Sequence, residues 1–205
     1  EFTFLRVQSF QGQESLPTTQ GGYLEPGHGI YCCPSTTELN TVWGGLSSSL
    51  QSFELNRRLP TDGGWQWLTG FRWVQWNESL GIRTEYGNEQ VSFMDRYDTA
   101  TFNDLYGWQV GGDSILYGLG CPFRIEGIGK AGIYYNNAAQ RSASTTTATL
   151  PPATLAVGTD AGRAAFVGEV GLTAVYDLAD WLSVRAGYAA FWLGGLATAT
   201  NQLDR

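Results

Sequence analysis

The feature that most constrains the fold of this chain is an alternation of apolar and charged side chains along residues 123–135. The odd positions carry no charge and end in an aromatic residue at each side, whereas Arg124, Glu126 and Lys130 occupy even positions. Because a β-strand points successive side chains to opposite faces, one face would be apolar and the other ionic. The run is also longer than an ordinary strand. This combination is typical of a strand that crosses a membrane in a β-barrel, with charges facing the lumen.

Composition agrees with such a protein. Of 205 residues only 15% are charged, while 27 are glycine and eight are tryptophan. No apolar run reaches the about 18 residues that a transmembrane helix needs. A net charge of −7 without a basic run argues against a nucleic-acid partner. Residues 2–7 read as a strand and not as a secretory leader, so we expect a mature form or a fragment of a longer chain.

Similar alternation recurs along the chain. Further strands are predicted at residues 2–10, 42–59, 65–77, 91–98, 102–116, 163–178 and 181–193. A Pro-Thr-Asp-Gly-Gly turn at residues 60–64 would join two of them into a hairpin. The pattern predicts an all-β, antiparallel, up-and-down β-barrel of about eight strands (eight to ten), with residues 1–205 as a single domain.

Two segments rich in Gly, Pro, Ser and Thr are predicted to be long loops. They lie at about residues 11–41 and 136–160. The other connections are short. Short turns on one side and long loops on the other are typical of membrane barrels.

Whether the apolar face of the strands points inward or outward decides between two interpretations. In a soluble barrel or sandwich the apolar face would point inward and the charges would point to water. Strand length, aromatic residues near strand ends and the many Gly and Ala on the apolar face favour a lipid bilayer as the partner, because small residues pack a core poorly. The predicted interface aromatics are Trp65, Trp108, Tyr135, Trp181 and Trp192.

The polar face then lines the lumen. An eight-stranded barrel is about filled by its own side chains, and buried charges need partners. We therefore predict an ion-pair network and no wide channel. The predicted lumen charges are Arg72, Arg124, Glu126, Lys130, Glu169 and Arg185.

The three cysteines allow several arrangements. Cys32 or Cys33 could bridge to Cys121, which would leave one thiol free or bonded to another chain; all three could also be unpaired. Low lysine usage and the presence of cysteines at loop-like positions favour an oxidising, extracytoplasmic compartment.

No catalytic constellation stands out. His28 is the only histidine and no Cys-x-x-Cys pair occurs, so neither a metal site nor a Ser-His-acid triad is predicted. Glu126 and Glu169 could form a carboxylate pair for glycoside hydrolysis, but we expect them to neutralise Arg and Lys. We predict no enzymatic activity and no cofactor.

Two segments carry distinctive motifs: a hairpin with Arg-Arg at 57–58 and Leu-Thr-Gly-Phe-Arg-Trp at 68–73, and a Leu-Tyr-Gly-Trp-Gln-Val-Gly run at 105–111. They resemble a family of bacterial outer-membrane β-barrel proteins that is abundant in planctomycetes and related to pore-forming proteins. The hairpin match continues through residues 77–80. Further matches lie at residues 130–134, 169–172 and 182–188, the last of a kind found in many barrels, so the resemblance covers about residues 51–204. It implies an outer-membrane barrel and supplies no catalytic residues. The region before residue 42 has no counterpart in that family, and a further strand would be expected at the carboxyl end.

These observations leave three functions. The first is an outer-membrane β-barrel with a structural or porin-like role. The second is a secreted barrel that assembles into an extracellular polymer through its N-terminal arm and cysteines, which implies self-association. The third is a soluble barrel that binds a glycan or a partner through its long loops.

Overall fold

Nine β-strands account for most of the computed structural model. It describes residues 1–18, 22–25, 29–32, 40–61, 64–87, 92–118, 122–149, 151–179 and 181–200. Within these ranges no helix is long and apolar enough to span a bilayer. The strands are β1 (Phe2–Thr18), β2 (Gly22–Glu25), β3 (Gly29–Cys32), β4 (Asn40–Pro60), β5 (Trp65–Gly87), β6 (Ser92–Tyr117), β7 (Phe123–Thr146), β8 (Ala153–Ala179) and β9 (Leu182–Gly194).

Seven of these strands form one antiparallel sheet in the order β1-β4-β5-β6-β7-β8-β9. The sheet curls into a half-barrel, and every connection after β4 joins neighbouring strands. The prediction of an all-β, antiparallel, up-and-down barrel architecture is therefore confirmed. The predicted hairpin is present too, with Phe53 opposite Trp73 and Glu54 opposite Arg72. Strands β2 and β3 form a separate small hairpin.

The connections divide between two ends of the half-barrel. Residues 61–64, 118–122 and 180–181 link strands at the turn end, and residues 19–39, 88–91 and 147–152 link them at the loop end. The predicted loop at 136–160 is wrong, because β7 continues to Thr146 and β8 begins at Ala153. The predicted loop at 11–41 is also too long, since β1 extends to Thr18.

The strands are much longer than predicted. Strands β4 to β8 contain 21 to 27 residues each. The segments predicted at 91–98 and 102–116 form one strand, β6. The strand ends predicted from the sequence are wrong where the outward side chains change from apolar to polar. The ladder of backbone hydrogen bonds continues past that change. Beyond that change the sheet extends as a polar wall toward the loop end.

Both edges of the sheet are unpaired within the described ranges. Strand β1 pairs only with β4, and β9 pairs only with β8. Both strands run from the turn end to the loop end, because an odd number of strands separates them in an antiparallel order. Side chains on both faces of β9 are exposed over residues 182–189.

The concave face holds a small apolar layer. Leu50, Val74, Leu105, Tyr134 and Val167 are buried against one another, and Leu193 of the opposite edge packs on them. Residues from β4 to β9 therefore meet across the interior, and the half-barrel is filled by its own side chains at this level.

Two glycines make room for the buried Tyr134 ring. A Cβ at Gly107 would lie 2.5 Å from the ring, and a Cβ at Gly132 would lie 2.7 Å from it. Glycine is required at these positions by close approach of the ring and of neighbouring backbone, and not by an unusual φ.

Candidate functional site

Four charged side chains form a closed ring inside the half-barrel. Arg72 Nη1 lies 3.3 Å from Glu54 Oε1 and 2.7 Å from Glu169 Oε2. Lys130 Nζ lies 2.9 Å from Glu54 Oε2 and 3.4 Å from Glu169 Oε1. Each charge therefore contacts two charges of opposite sign, and the ring is neutral as a whole. Since its members come from β4, β5, β7 and β8, the ring crosses the interior.

The ring is buried and its hydrogen bonds are largely satisfied. Arg72 is only 2% exposed and Glu54 3%. Arg72 Nε donates to Ser52 Oγ at 2.9 Å, and the guanidinium also lies 5.6 Å from the centre of the Phe191 ring. A buried charge is tolerated when it is both paired and hydrogen-bonded.

Neutral polar side chains extend the ring toward β6. Gln109 Nε2 donates to Glu54 Oε2 and to Asn56 Oδ1, both at 2.9 Å. Asn56 Nδ2 donates to Glu54 Oε2 at 2.8 Å, and the Tyr134 hydroxyl donates to Gln109 Oε1 at 3.3 Å. The ring and these amides together form an ionic layer of Glu54, Asn56, Arg72, Gln109, Lys130 and Glu169.

Sequence reasoning named three members of the ring and missed the fourth. Arg72, Lys130 and Glu169 were among the predicted lumen charges, and the structure brings them together. Glu54 was missed, although its signal is an alternating polar row that places Ser52 and Glu54 on one face of β4. The pairing of the four charges cannot be recognised from any single strand, because the contacts join four strands.

The remaining predicted lumen charges form a second cluster nearer the turn end. Arg124 Nε lies 2.8 Å from Glu126 Oε1, and Arg124 also pairs with Asp177. Arg185 Nη1 is 3.8 Å from Glu126 Oε2, and its side chain is 58% exposed. These residues point to the concave side but are separate from the ring. Glu126 and Glu169 are thus each occupied by cations of different clusters, which is not the arrangement of a hydrolytic carboxylate pair.

Residues 195–200 leave the sheet after β9 and enter the half-barrel. The turn begins at Gly195, whose φ is 78°, and a Cβ there would lie 2.5 Å from the Ala164 carbonyl oxygen. Both facts require glycine. The following side chains are directed inward, since Leu196 packs on the apolar layer and Ala199 is fully buried.

Polar side chains of the wall hold the backbone of this inward segment. Asn103 Oδ1 accepts from the Ala197 N–H at 2.7 Å, and Asn103 Nδ2 donates to the Ala197 carbonyl at 2.8 Å. Asn136 Nδ2 donates to the Gly195 carbonyl at 3.0 Å, and Glu78 Oε2 accepts from the Ala199 N–H at 2.9 Å. The asparagine amide thus replaces the neighbouring strand that this backbone lacks.

We expect Asn103→Ala to release residues 195–200. The change leaves the Ala197 N–H and carbonyl without partners, at a cost of about 1–3 kcal/mol if they stay buried. Hydrogen–deuterium exchange of residues 195–200 should accelerate, while the exchange of β5 stays slow. Asn137→Ala is the matched control. Asn137 lies on β7 beside Ala138, the residue opposite Asn103, but its side chain faces outward. Unchanged exchange in Asn103→Ala would show that the inward segment does not depend on this clamp.

The convex face carries an apolar belt. Aromatic residues lie opposite one another on neighbouring strands, from Phe4 and Phe53 through Trp73 and Tyr106 to Tyr135. Toward the turn end the outward residues stay apolar or small, with the exception of Arg57. We define the belt by its outward residues within 53–59, 65–73, 106–116, 123–135, 164–178 and 184–192.

A polar row borders the belt on its loop-end side. Arg6, Gln51, Gln75, Asp104 and Asn137 lie directly opposite one another on consecutive strands of the sheet. The row is tied together in part, since Gln75 Nε2 donates to Asp104 Oδ1 at 3.0 Å. The change from the aromatic row to this polar row takes only two residues along each strand.

The belt is exposed in this structure. Ile133 is 76% exposed, Trp108 62% and Tyr135 60%. All five predicted interface aromatics have exposed side chains. The other three are Trp65 (39% exposed), Trp181 (84%) and Trp192 (54%). The half-barrel therefore buries charge and exposes aromatic surface, the reverse of a soluble core.

Several sequence candidates lie outside the described residues. This applies to His28, Cys33 and Cys121, and to the side chain of Cys32, so no disulfide can be assigned. In the parts of the chain that the structure describes, no three His, Cys, Asp or Glu side chains converge in a way that could hold a metal ion.

Protein families and curated protein sequences indicate no function for this chain, so its function is inferred from the fold and the site. The sequence matches no protein-family model, and no curated protein sequence matches it.

Proposed function

We propose that this chain is a bacterial outer-membrane β-barrel protein with a closed, ionic lumen and a structural role. The observation that carries the proposal is the inverted burial: the convex belt is apolar and exposed, while Glu54, Arg72, Lys130 and Glu169 are enclosed. An exposed apolar surface of this extent is unusual for a monomeric protein in water. A bilayer would cover it, and the concave polar face would need no lipid contact.

The dimensions of the belt suit a bilayer. At about 3.3 Å per residue, its length is about 26 Å along β5 and about 40 Å along β7. A strand tilt of about 40° reduces these lengths to about 20 Å and 30 Å, on either side of the about 25 Å apolar band of membrane barrels. Arg57 is the one charge on the belt of β4, two residues from Leu59 near the turn end, where a long side chain can reach the membrane surface.

The interior supports a structural role more than a porin-like one. The ionic layer crosses the half-barrel at one level, and residues 195–200 occupy the interior nearer the loop end. Both are held by direct hydrogen bonds from the wall. An ion or solute would have to displace paired, buried groups at two levels in order to pass.

In lipid, both open edges need hydrogen-bond partners. Because β1 and β9 run in the same direction, a strand antiparallel to both must lie between them, or a larger odd number of alternating strands. The total then becomes even, as in bacterial membrane barrels. The resemblance to the planctomycete family of outer-membrane barrels supports the same proposal.

Membrane insertion is tested by detergent dependence. We expect the purified protein to stay monodisperse in micelles and to precipitate when detergent is removed, because the belt needs an apolar environment. Its electrophoretic mobility should change on heating, as the strand-paired barrel unfolds. A chain that remains monodisperse without detergent would contradict the membrane assignment.

The closed lumen makes a separate prediction. We expect the inserted protein to give no single-channel steps in planar bilayers, because the ionic layer leaves no continuous water path. Insertion must be shown independently, by protection of the belt from protease in the same vesicles. Regular conductance steps from a protein whose belt is protected from protease would contradict the structural role and support a porin-like one.

A second candidate is a secreted subunit that polymerises. The two unpaired edges favour it, since exposed edges can pair with strands of other copies. It predicts ladders on non-reducing gels if Cys32, Cys33 or Cys121 link subunits. Loss of the polymer in Cys→Ser variants would support this candidate, and detergent-free monomers would argue against it.

A further inference from the structure

Two adjoining grooves lie on the polar wall beyond the belt. One of about 450 Å³ is bordered by β5, β6, β7 and β8, and the other of about 400 Å³ by β4, β5 and β6. They adjoin at Gly81 and Asp98, which line both, and we call the two grooves together the wall groove. Each volume is within the range of small-molecule sites.

The floor of the wall groove lacks large side chains. Gly45 and Gly81 lie directly opposite each other on β4 and β5, and a Cβ at Gly45 would meet nothing within 4 Å. Ala100, Ala143, Ala156 and Gly158 continue the floor toward β8. A ligand can therefore approach the sheet backbone closely on either side of Gly81, over which the Asp98 carboxylate lies.

The sides of the wall groove carry an aromatic ring and charges. The Arg83 guanidinium lies 5.3 Å from the centre of the Trp43 ring, and Arg83 also pairs with Glu85. Arg96 donates to both carboxylate oxygens of Asp98, at 2.5 and 3.2 Å, which raises the pKa of the Arg96 guanidinium above its ordinary value. Each of these pairs is neutral as a whole.

Arg141 differs from these arginines. Its Nη1 would lie 3.7 Å from a Cβ at Gly158, so the guanidinium extends along the groove floor. Within the described ranges Arg141 forms no ion pair, and Asp98, the carboxylate that lines the groove, is paired with Arg96. The wall groove thus has one surplus positive charge at its β7 side.

We propose that the wall groove binds an acidic oligosaccharide. Trp43 and the Arg83 guanidinium over its ring together offer a flat surface on which a sugar ring packs. Asp98 and the paired arginines offer acceptors and donors for hydroxyl groups. Arg141 offers the planar fork that binds a carboxylate with two hydrogen bonds.

The spacing favours an oligomer over a single sugar. Trp43 lies three strand spacings from Arg141 and in register with Thr145, so about 14 Å across the sheet and about 13 Å along the strands separate Trp43 from Arg141. A ligand that reaches both must contain several rings. The proposal does not depend on membrane insertion, because the wall groove lies beyond the polar row and not on the belt.

The test is isothermal titration of the folded, full chain in micelles with tetragalacturonate, and with maltotetraose as the neutral probe of similar length. We expect tetragalacturonate to bind at least about tenfold more tightly than maltotetraose. Arg141→Gln should remove this preference, and Trp43→Ala should weaken the binding of tetragalacturonate about tenfold.

Matched controls separate the wall groove from general surface charge and aromatic surface. Arg57→Gln and Trp108→Ala change the same residue types on the convex face outside the groove, and both should bind as the unchanged protein does. The proposal is overturned by absence of heat with tetragalacturonate, by equal binding of the two probes, or by equal losses in the control variants. Strand content by circular dichroism verifies that each variant is folded.

Discussion

Arg72→Met should destabilise the protein by about 3–5 kcal/mol, the cost of breaking a buried ion pair on one side. Among the residues that the structure describes, Arg72 alone contacts Glu54, Glu169 and Ser52 together. Its loss leaves the neutral ring with a surplus negative charge in a buried place. The measurement is the urea-induced unfolding of the inserted protein, followed by tryptophan fluorescence.

A second variant shows whether the loss comes from charge imbalance or from packing. Arg72→Met with Glu169→Gln removes one charge of each sign and leaves Lys130 paired with Glu54 at 2.9 Å. We expect this double variant to be more stable than Arg72→Met alone, although Glu169→Gln alone is also destabilising. Such a coupling is the signature of a direct interaction.

The control for charge itself is Arg96→Ala. Arg96 pairs with Asp98 on the convex face, and its side chain is 63% exposed. An exposed pair contributes about 0–1 kcal/mol. If Arg72→Met cost no more than Arg96→Ala, or if the double variant showed simple additivity, the ring would not be a coupled unit.

The faces of the strands could be predicted from sequence because alternation is a local property. Arg72, Lys130 and Glu169 point inward and Trp108 points outward, as period-two patterning requires. The ends of the strands could not be predicted in this way. Beyond Gln75 the outward residues of β5 are polar or glycine, and beyond Asn137 both faces of β7 carry only small or polar residues, so the pattern resembles a loop while backbone pairing continues.

The contacts between charges depend on register and curvature, which the sequence pattern does not contain. Glu54 meets Lys130 across the interior although 76 residues separate them. The inward course of residues 195–200 is equally hidden, since Asn103 and Asn136 bind its backbone and no side-chain pattern records such contacts. The surplus charge of Arg141 likewise became visible only when the neighbouring strands were in place.

A lysine in the apolar belt should distinguish lipid from water around the convex face. Ala131 is exposed near the middle of the belt on β7. If lipid surrounds it, Ala131→Lys should destabilise the protein by about 2–4 kcal/mol, because a charge near the bilayer midplane is costly. If water surrounds it, a surface substitution should change stability by no more than about 0.5 kcal/mol.

Ala139→Lys is the matched control for this change. It makes the same substitution on the same strand and the same face, but beyond the polar row at Asn137. The proposed bilayer ends before this position, so Ala139→Lys should be nearly neutral. Both variants are compared by urea unfolding from vesicles and by the fraction that folds into them. Equal small effects would place the belt in water and contradict an outer-membrane barrel, whereas a large loss confined to Ala131→Lys would locate the bilayer at the belt.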